Sequence, residues 1–400
     1  MLDSAKLRAW RSHRQGLDGS FLGKSPAEVL EQTGWARAVG GCAPYLGLHA
    51  RCGASREAID GAVERLEIHE LPSARGCTYV VPRSAFALAL KLSANFGPVA
   101  DMKTANKLGV TDAEVDKLCS AVLDALKKGP LDPEQLRSAA GDASRSLGEA
   151  GKKKGMTTTL PLALGRLQSE GEIRRVPTNG RLDQQRYKYT LWRPNPLAKV
   201  RTSPAEMNVE LARLFFRWIG PATLSQFQNF AGITAKAAKE AIQPLELAEI
   251  SSTDLLILRE DLAAFEAFKP PKTAQFSLVG MIDGLVLLRR DIPSLLAPED
   301  EKVMVQGEKG KVAIAALSDL PSNAILDSGR LVGLWEYDPE AGEIAWSSFI
   351  RPTPQLREQV RATQAFVHDQ LGDARSFSLD SPKSRVPRIQ ALRQAQAALA

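Results

Sequence analysis

A catalytic reading of this chain would start from its histidines, its cysteines and a few well-placed carboxylates. His13, His49, His69 and His368 stand singly, with no HExxH pair to hold a metal. A phosphate-binding GxxxxGK loop, a dinucleotide GxGxxG fingerprint and a GxSxG nucleophile elbow are absent as well. Each histidine reads more simply as structural or exposed than as catalytic. Cys42, Cys52, Cys77 and Cys119 show no CxxC spacing, which predicts reduced thiols rather than a metal site or disulfides. Asp283 follows an apolar run and precedes GLVLLRR, so Asp283, Arg289 and Arg290 could meet at a strand end. The plainer alternative is a turn aspartate beside solvated arginines.

The chemistry that stands out is electrostatic. Between Lys152 and Arg201 there are twelve basic residues and three acids, a local excess of nine charges in a chain whose net charge is +6. The rest of the chain is therefore slightly acidic. Each Lys or Arg that contacts a phosphate releases counterions and adds sequence-independent affinity. The pattern points to duplex DNA, with Lys152, Lys153, Lys154, Arg166, Arg174, Arg175, Arg181, Arg186 and Lys188 as the candidate contacts. Tyr187, Tyr189 and Trp192 interleave with these charges and could pack on sugars or bases. For Tyr189 and Trp192 the simpler role is to fill the inner face of a hairpin.

The elements that would position these charges can be read from spacing. Leu160, Leu164 and Leu167 fall on one helical face, with threonines at the start, Pro161 in the first turn and Gly171 at the stop. Two strand-like runs follow, Glu172–Val176 and Gln185–Trp192, around a turn with Pro177, Asn179 and Gly180. A short helix and a basic hairpin are the recognition helix and wing of a winged-helix unit. The lysine-rich segment Gly148–Gly155 before them is either a disordered insert or a phosphate clamp.

Similar helix–helix–helix–hairpin orders precede and follow. In the first unit Ser25-Pro-Ala-Glu is a capping box, Ser55 caps a third helix, and IHELPSARGCTYVVP is the hairpin. The third begins with an amphipathic helix over Ala205–Trp218 and ends in ISSTDLLILRED. A Gly-Pro turn recurs at Gly129 and Gly220, a weak internal-repeat signal. From Gln275 to Phe349 short β-rich runs are punctuated by glycine. The predicted fold class is thus α+β: three tandem winged-helix units, a small all-β, barrel-like domain and a C-terminal helical tail. The predicted boundaries are 1–98, 99–200, 201–270, 271–352 and 353–400.

Composition is that of an ordinary soluble protein, 44% hydrophobic and 24% charged. The N-terminal stretch lacks the apolar core of a signal peptide, and no run reaches the roughly 18–20 apolar residues of a membrane span. A cytoplasmic monomer without a membrane partner is expected.

Several stretches carry a family resemblance: LRAWRSHRQGL, YLGLHAR, RGCTYVVPRSAFAL, GPATLSQFQNFAG and DSGRLVGLWEYD. In order and spacing the chain resembles the winged-helix DNA-binding family of AlkZ/YcaQ-type crosslink-repair DNA glycosylases. The resemblance implies tandem winged helices around a concave DNA surface, excision of alkylated or crosslinked bases, and no metal or cofactor. Active members carry a Gln–apolar–Gln or Gln–apolar–Asp motif shortly before the equivalent of YLGLHAR. Aligned without gaps, that place holds Arg37-Ala38-Val39; a shifted alignment gives Cys42-Ala43-Pro44. Neither offers an amide or carboxylate to place water or stabilise a sugar cation. A Gln-Phe-Gln string at Gln226–Gln228 lies far along the chain and reads as chance. Arg37, His49 and Asp283 are the remaining catalytic candidates. Two functions stay open: a monofunctional DNA glycosylase, or a non-catalytic DNA-binding or regulatory protein on the same scaffold.

Overall fold

The computed structural model describes residues 3–94, 96–307 and 310–397. Helix starts follow the capping residues. Asp3 accepts from Ala5 and Lys6 at the start of α1 (Ser4–Arg14), and Ser25 forms the expected capping box with Glu28 on α2 (Pro26–Thr33). A two-residue strand, β1 (Ala36–Arg37), then leads to α3 (Ala43–Cys52) and to α4 (Arg56–Glu64), which Ser55 caps. The hairpin β2 (Ile68–Pro72) and β3 (Thr78–Pro82) takes β1 on its far side, giving an antiparallel sheet of order β1-β3-β2. Helix α5 (Phe86–Ser93) follows.

The next segment holds its own core. It contains α6 (Gly97–Asn106), α7 (Asp112–Leu126), α8 (Pro133–Ala140), α9 (Gly148–Lys152), α10 (Leu160–Ser169) and the hairpin β4 (Ile173–Pro177) with β5 (Tyr187–Leu191). Leu118, Val122, Leu136, Leu164, Leu167 and Ile173 fill that core, as the period of the sequence requires. Then come α11 (Pro204–Ile219), β6 (Ala222–Thr223), α12 (Leu224–Ala231), α13 (Ala235–Ile242), β7 (Leu247–Glu249), β8 (Leu255–Leu258) and α14 (Arg259–Ala267).

The β-rich segment differs from the barrel-like domain expected. GLVLLRR is no strand: Asp283 caps it as a one-turn helix, α15 (Gly284–Leu287). Among the described residues, the strands β10 (Met304–Gly307) and β11 (Gly310–Ala313) pair only with each other. That leaves β9 (Phe276–Val279), β12 (Asn323–Asp327), β13 (Arg330–Asp338) and β14 (Glu343–Ser348) as an open antiparallel sheet of order β14-β13-β12-β9. Four strands are too few to close, and other elements bury both faces instead. Leu331 and Leu334 of β13 enter the core that holds Phe215, Trp218 and Phe227. Val332, Trp335 and Tyr337 enter the core that holds Tyr45, Leu48 and Leu356 of α16 (Pro354–Phe366). This explains why RLVGLWEYD is nearly continuous in apolar character rather than alternating. The turn Ser328-Gly329 joins β12 to β13, both residues at positive φ. A Cβ on Gly329 would lie 2.3 Å from the Arg8 carbonyl oxygen of α1, so only glycine fits.

The basic tail α17 (Pro382–Ala397) turns two of its arginines inward. Fully buried Arg385 pairs with Asp373, and Arg388 contacts Glu336 at 2.9 Å and Asp380 at 2.6 Å. No helix among the described residues is long and apolar enough to cross a membrane.

One polar cluster ties these parts together. Arg51 of α3 makes a bidentate pair with Asp283, both bonds 2.8 Å, and its Nη2 also donates to Gln15 at 2.9 Å. Gln15 in turn donates to the carbonyls of Thr33 and Trp218. Arg51 and Asp283 are both buried. Removing one partner of a buried pair strands the other charge, at a cost of about 3–5 kcal/mol. Asp283→Ala should therefore lower the urea midpoint by that equivalent with little change in m. An unchanged midpoint would show that the pair does not hold the parts together.

Candidate active-site cleft and nucleic-acid interface

The basic residues do not form one uniform surface. Lys152, Lys153 and Lys154 are exposed at the end of α9, a short ordered helix, and Lys152 reaches Glu149 at 2.6 Å. Such a surface pair is worth at most ~1 kcal/mol and leaves the ammonium available. Arg186 is exposed at the hairpin tip, while Lys188 and Arg174 are half-buried along the strands. Arg166 is held by Asp116 at 2.7 Å and Glu170 at 3.2 Å. Arg181 is paired with Asp183 and donates to the Leu371 carbonyl at 3.0 Å. Arg175 turns inward, its guanidinium 5.3 Å from the Tyr187 ring centroid.

Helix α10, expected to be a recognition helix, is enclosed by α5, α6 and α7. Leu160, Leu162, Ala163, Leu164, Leu167, Gln168 and Ser169 are buried, and of its residues only Pro161 is fully exposed. Its other apolar side chains are spent on packing, and Pro161, Gly165 and Arg166 are what the helix leaves at least partly exposed.

The inward turn of Arg175 closes one side of a cleft of ≈530 Å³. Arg37, Ala38 and Val39 line it on one side, Tyr187 and Gln185 on another, and Phe377–Leu379 along the rim. Strand pairing places them: Ala36 and Glu70 lie opposite Val80 from either side of β3. Ser378 N–H donates to the Val39 carbonyl at 3.0 Å and pins the rim segment. Arg37 donates to the Thr78 carbonyl at 2.9 Å and lies 5.5 Å from the Tyr79 ring centroid.

Glu70 is the residue that the sequence reading missed. It is only 5% exposed, and both carboxylate oxygens face the Tyr187 hydroxyl, at 3.1 and 3.0 Å. Burial raises its pKa, partly offset by Arg175 and by the Tyr187 hydrogen bond. Burial works against the charge of Arg175, but Tyr189, Glu70 and Tyr187 around it raise its pKa overall. The tyrosine hydroxyl is held in its protonated form, chiefly by burial and then by Glu70. A signal was present: IHELP carries adjacent ionisable residues inside an apolar hairpin, and β2 is buried on both faces, so each had to meet a partner or a core. Glu70 meets Tyr187, whereas His69 meets Phe86 and Trp192 edge-on. Neither nitrogen of His69 has a partner, and burial, aided by Arg174 and Arg175, pushes its pKa down to about 3.

Of the three expected catalytic candidates, only Arg37 lines the cleft. Arg37 and Asp283 also share a void of ≈20 Å³, room for about one water. Asp283 is committed to Arg51 and to capping α15. His49 stacks on Phe366, ring centroids 3.7 Å apart, with Nδ1 at 3.2 Å from the Ala54 carbonyl. Arg289 is buried beside Ser294, and Arg290 pairs with Asp319, so neither joins Asp283. Phe227 is core, and Gln226 spends its amide on capping α12 and on Asp291.

A family model described as DNA glycosylase AlkZ-like matches residues 35–376. No curated protein matches the chain. Among solved structures, the Streptomyces sahachiroi DNA glycosylase AlkZ is similar, with a TM-score of 0.69 at 20% sequence identity. The match covers 92% of this chain and 97% of that one.

Two outcomes follow. Replacing Lys152, Lys153, Lys154 and Arg186 by Glu should lower the salt slope of duplex binding by ~0.9 per lost phosphate contact. Arg181→Ala, whose guanidinium is tied to Asp183 and to the Leu371 carbonyl, should leave the slope unchanged. An unaltered slope in the fourfold variant would place the docking surface elsewhere. For His69, the folded pKa of about 3 lies below its ordinary 6.5, so the unfolded chain binds the extra proton between them. Stability from this residue is whole above about pH 6.5 and is lost as pH falls towards 3, by up to ~1.4 kcal/mol per unit. His69→Phe should remove that loss in urea titrations at pH 7 and pH 5; an equal loss in the variant would contradict it.

Proposed function

The chain belongs to the AlkZ-like DNA glycosylase family, and from that premise we propose that it binds damaged duplex DNA and excises a base drawn into the Arg37–Tyr187 cleft. In this reading the chain acts as a cytoplasmic monomer. Its helix–hairpin segments 1–98, 99–200 and 201–270 serve as three winged-helix units, with 271–352 and 353–400 bracing them. The exposed lysines of α9 and Arg186 hold phosphates, while the cleft receives the extruded nucleotide.

The observation that carries the reading is where the cleft lies. Aligned without gaps, the motif of active members falls at Arg37-Ala38-Val39 (a shifted alignment gives Cys42-Ala43-Pro44), and Arg37, Ala38 and Val39 line an open space of ≈530 Å³. That size is within the usual range of small-molecule sites. A mouth flanked by Arg37, Arg175 and Gln185 suits a polar, anionic substrate. One observation favours the non-catalytic alternative: Arg37 is held by Thr78 and Tyr79, and Val39 is aliphatic, so neither can polarise water.

A single-turnover assay separates the two. Duplexes carrying N7-methylguanine, N3-methyladenine or an interstrand crosslink are incubated with excess protein, and abasic sites are cleaved by alkali. The excision reading expects product above spontaneous depurination for at least one lesion. Tight binding with background product for all three would establish the non-catalytic alternative.

A further inference from the structure

We propose that Glu70 is the catalytic carboxylate of this cleft, taking the part that residues 37 and 39 cannot play here, with Tyr187 as its positioning residue. The proposal rests on reading the cleft as a base-excision site. Breaking an N-glycosidic bond builds positive charge on the sugar and requires a water to be placed and deprotonated. Arg37 adds positive charge rather than offsetting it, and Ala38 and Val39 carry no polar side chain. Among the residues lining the cleft, Glu70 is the one carboxylate.

Its position suits the role. Ala36, Val80 and Glu70 form one row across β1, β3 and β2, which sets Glu70 roughly 10 Å, two strand spacings, from Ala36, the residue before Arg37. The carboxylate comes from a sheet strand and is gripped from the facing hairpin by the Tyr187 hydroxyl, so it is fixed from two sides. Two oxygens share one donor proton, which leaves lone pairs free for a water. Arg175 stands beside it, its Nε without a hydrogen-bond partner among the described residues, a buried donor that a bound nucleotide or water would satisfy. Burial raises the affinity of Glu70 for a proton while Arg175 keeps the ionised form accessible, the balance that a general base needs.

The C1′–N bond of an N7-alkylated guanine breaks, and its electron pair neutralises the cationic base, which departs. The developing sugar cation faces the Glu70 carboxylate. A water oxygen bonds to C1′ while its proton passes to a Glu70 oxygen, and that proton then leaves to solvent. The products are the free base and an abasic site.

The test is single-turnover excision from an N7-methylguanine duplex by wild type, Glu70→Gln and Tyr187→Phe, each with a binding titration and a melting curve. Glu70→Gln keeps shape and can still accept from Tyr187. It should lose ~10²- to 10⁴-fold in rate with duplex Kd within about twofold. The wild-type rate should fall as pH drops through the Glu70 pKa, and the variant should lack that acid limb. Tyr187→Phe should move the limb to higher pH, because the ionised carboxylate loses a donor, and it carries the test if Glu70→Gln does not fold. Excision by Glu70→Gln within tenfold of wild type, with the acid limb intact, overturns the assignment of Glu70 alone. Absence of wild-type excision from every lesion duplex overturns the excision reading beneath it.

Discussion

A buried guanidinium held by a buried carboxylate sets the terms for the rest of this structure. Arg51 and Asp283 sit 232 residues apart and meet in a bidentate pair that Gln15 extends to the carbonyls of Thr33 and Trp218. Desolvating both ions is costly, so the pair needs its bidentate geometry and the further bonds of Arg51 to Gly47 and Gln15 to offset that cost. That requirement fixes α1, α3, the end of α11 and the turn before α15 relative to one another. The same elements carry β1, and β1 forms one wall of the cleft. Gly47 shows how tight the fit is: a Cβ there would come within 3.2 Å of an Asp283 oxygen.

Much of the local architecture was legible because local rules decide it. The capping box at Ser25, the cap at Ser55 and the hairpins at β2–β3 and β4–β5 follow from turn chemistry and short-range spacing. What escaped was decided by distant partners. GLVLLRR carries strand-forming residues, yet Asp283 caps a helical turn there once Arg51 holds the carboxylate. The runs expected to close a barrel became an open sheet because helices, not more strands, cover its faces. Glu70 looked like one charge in a hairpin, and nothing in its neighbours announced that Tyr187, 117 residues away, would meet it.

Charge count and charge placement also proved to be different quantities. The excess between Lys152 and Arg201 is real, yet Arg175 turns its guanidinium toward Tyr187 and Glu70, and Arg181 pairs with Asp183 and donates to the Leu371 carbonyl. These inward arginines fasten the basic segment to the rest of the molecule. The outward ones, with the α9 lysines, remain for a phosphate backbone. One cluster thus serves two ends, and the division between them is what creates the cleft.

An extruded nucleotide that enters this cleft would face Glu70. The most direct measurement is the structure of the protein bound to a duplex containing a tetrahydrofuran abasic-site analogue. The account predicts the analogue's sugar out of the helix, beside Ala38 and Val39, with C1′ within roughly 3.5 Å of Glu70 or of a water it holds. A duplex that keeps its abasic sugar stacked, or that crosses the protein with the cleft facing solvent, would contradict it.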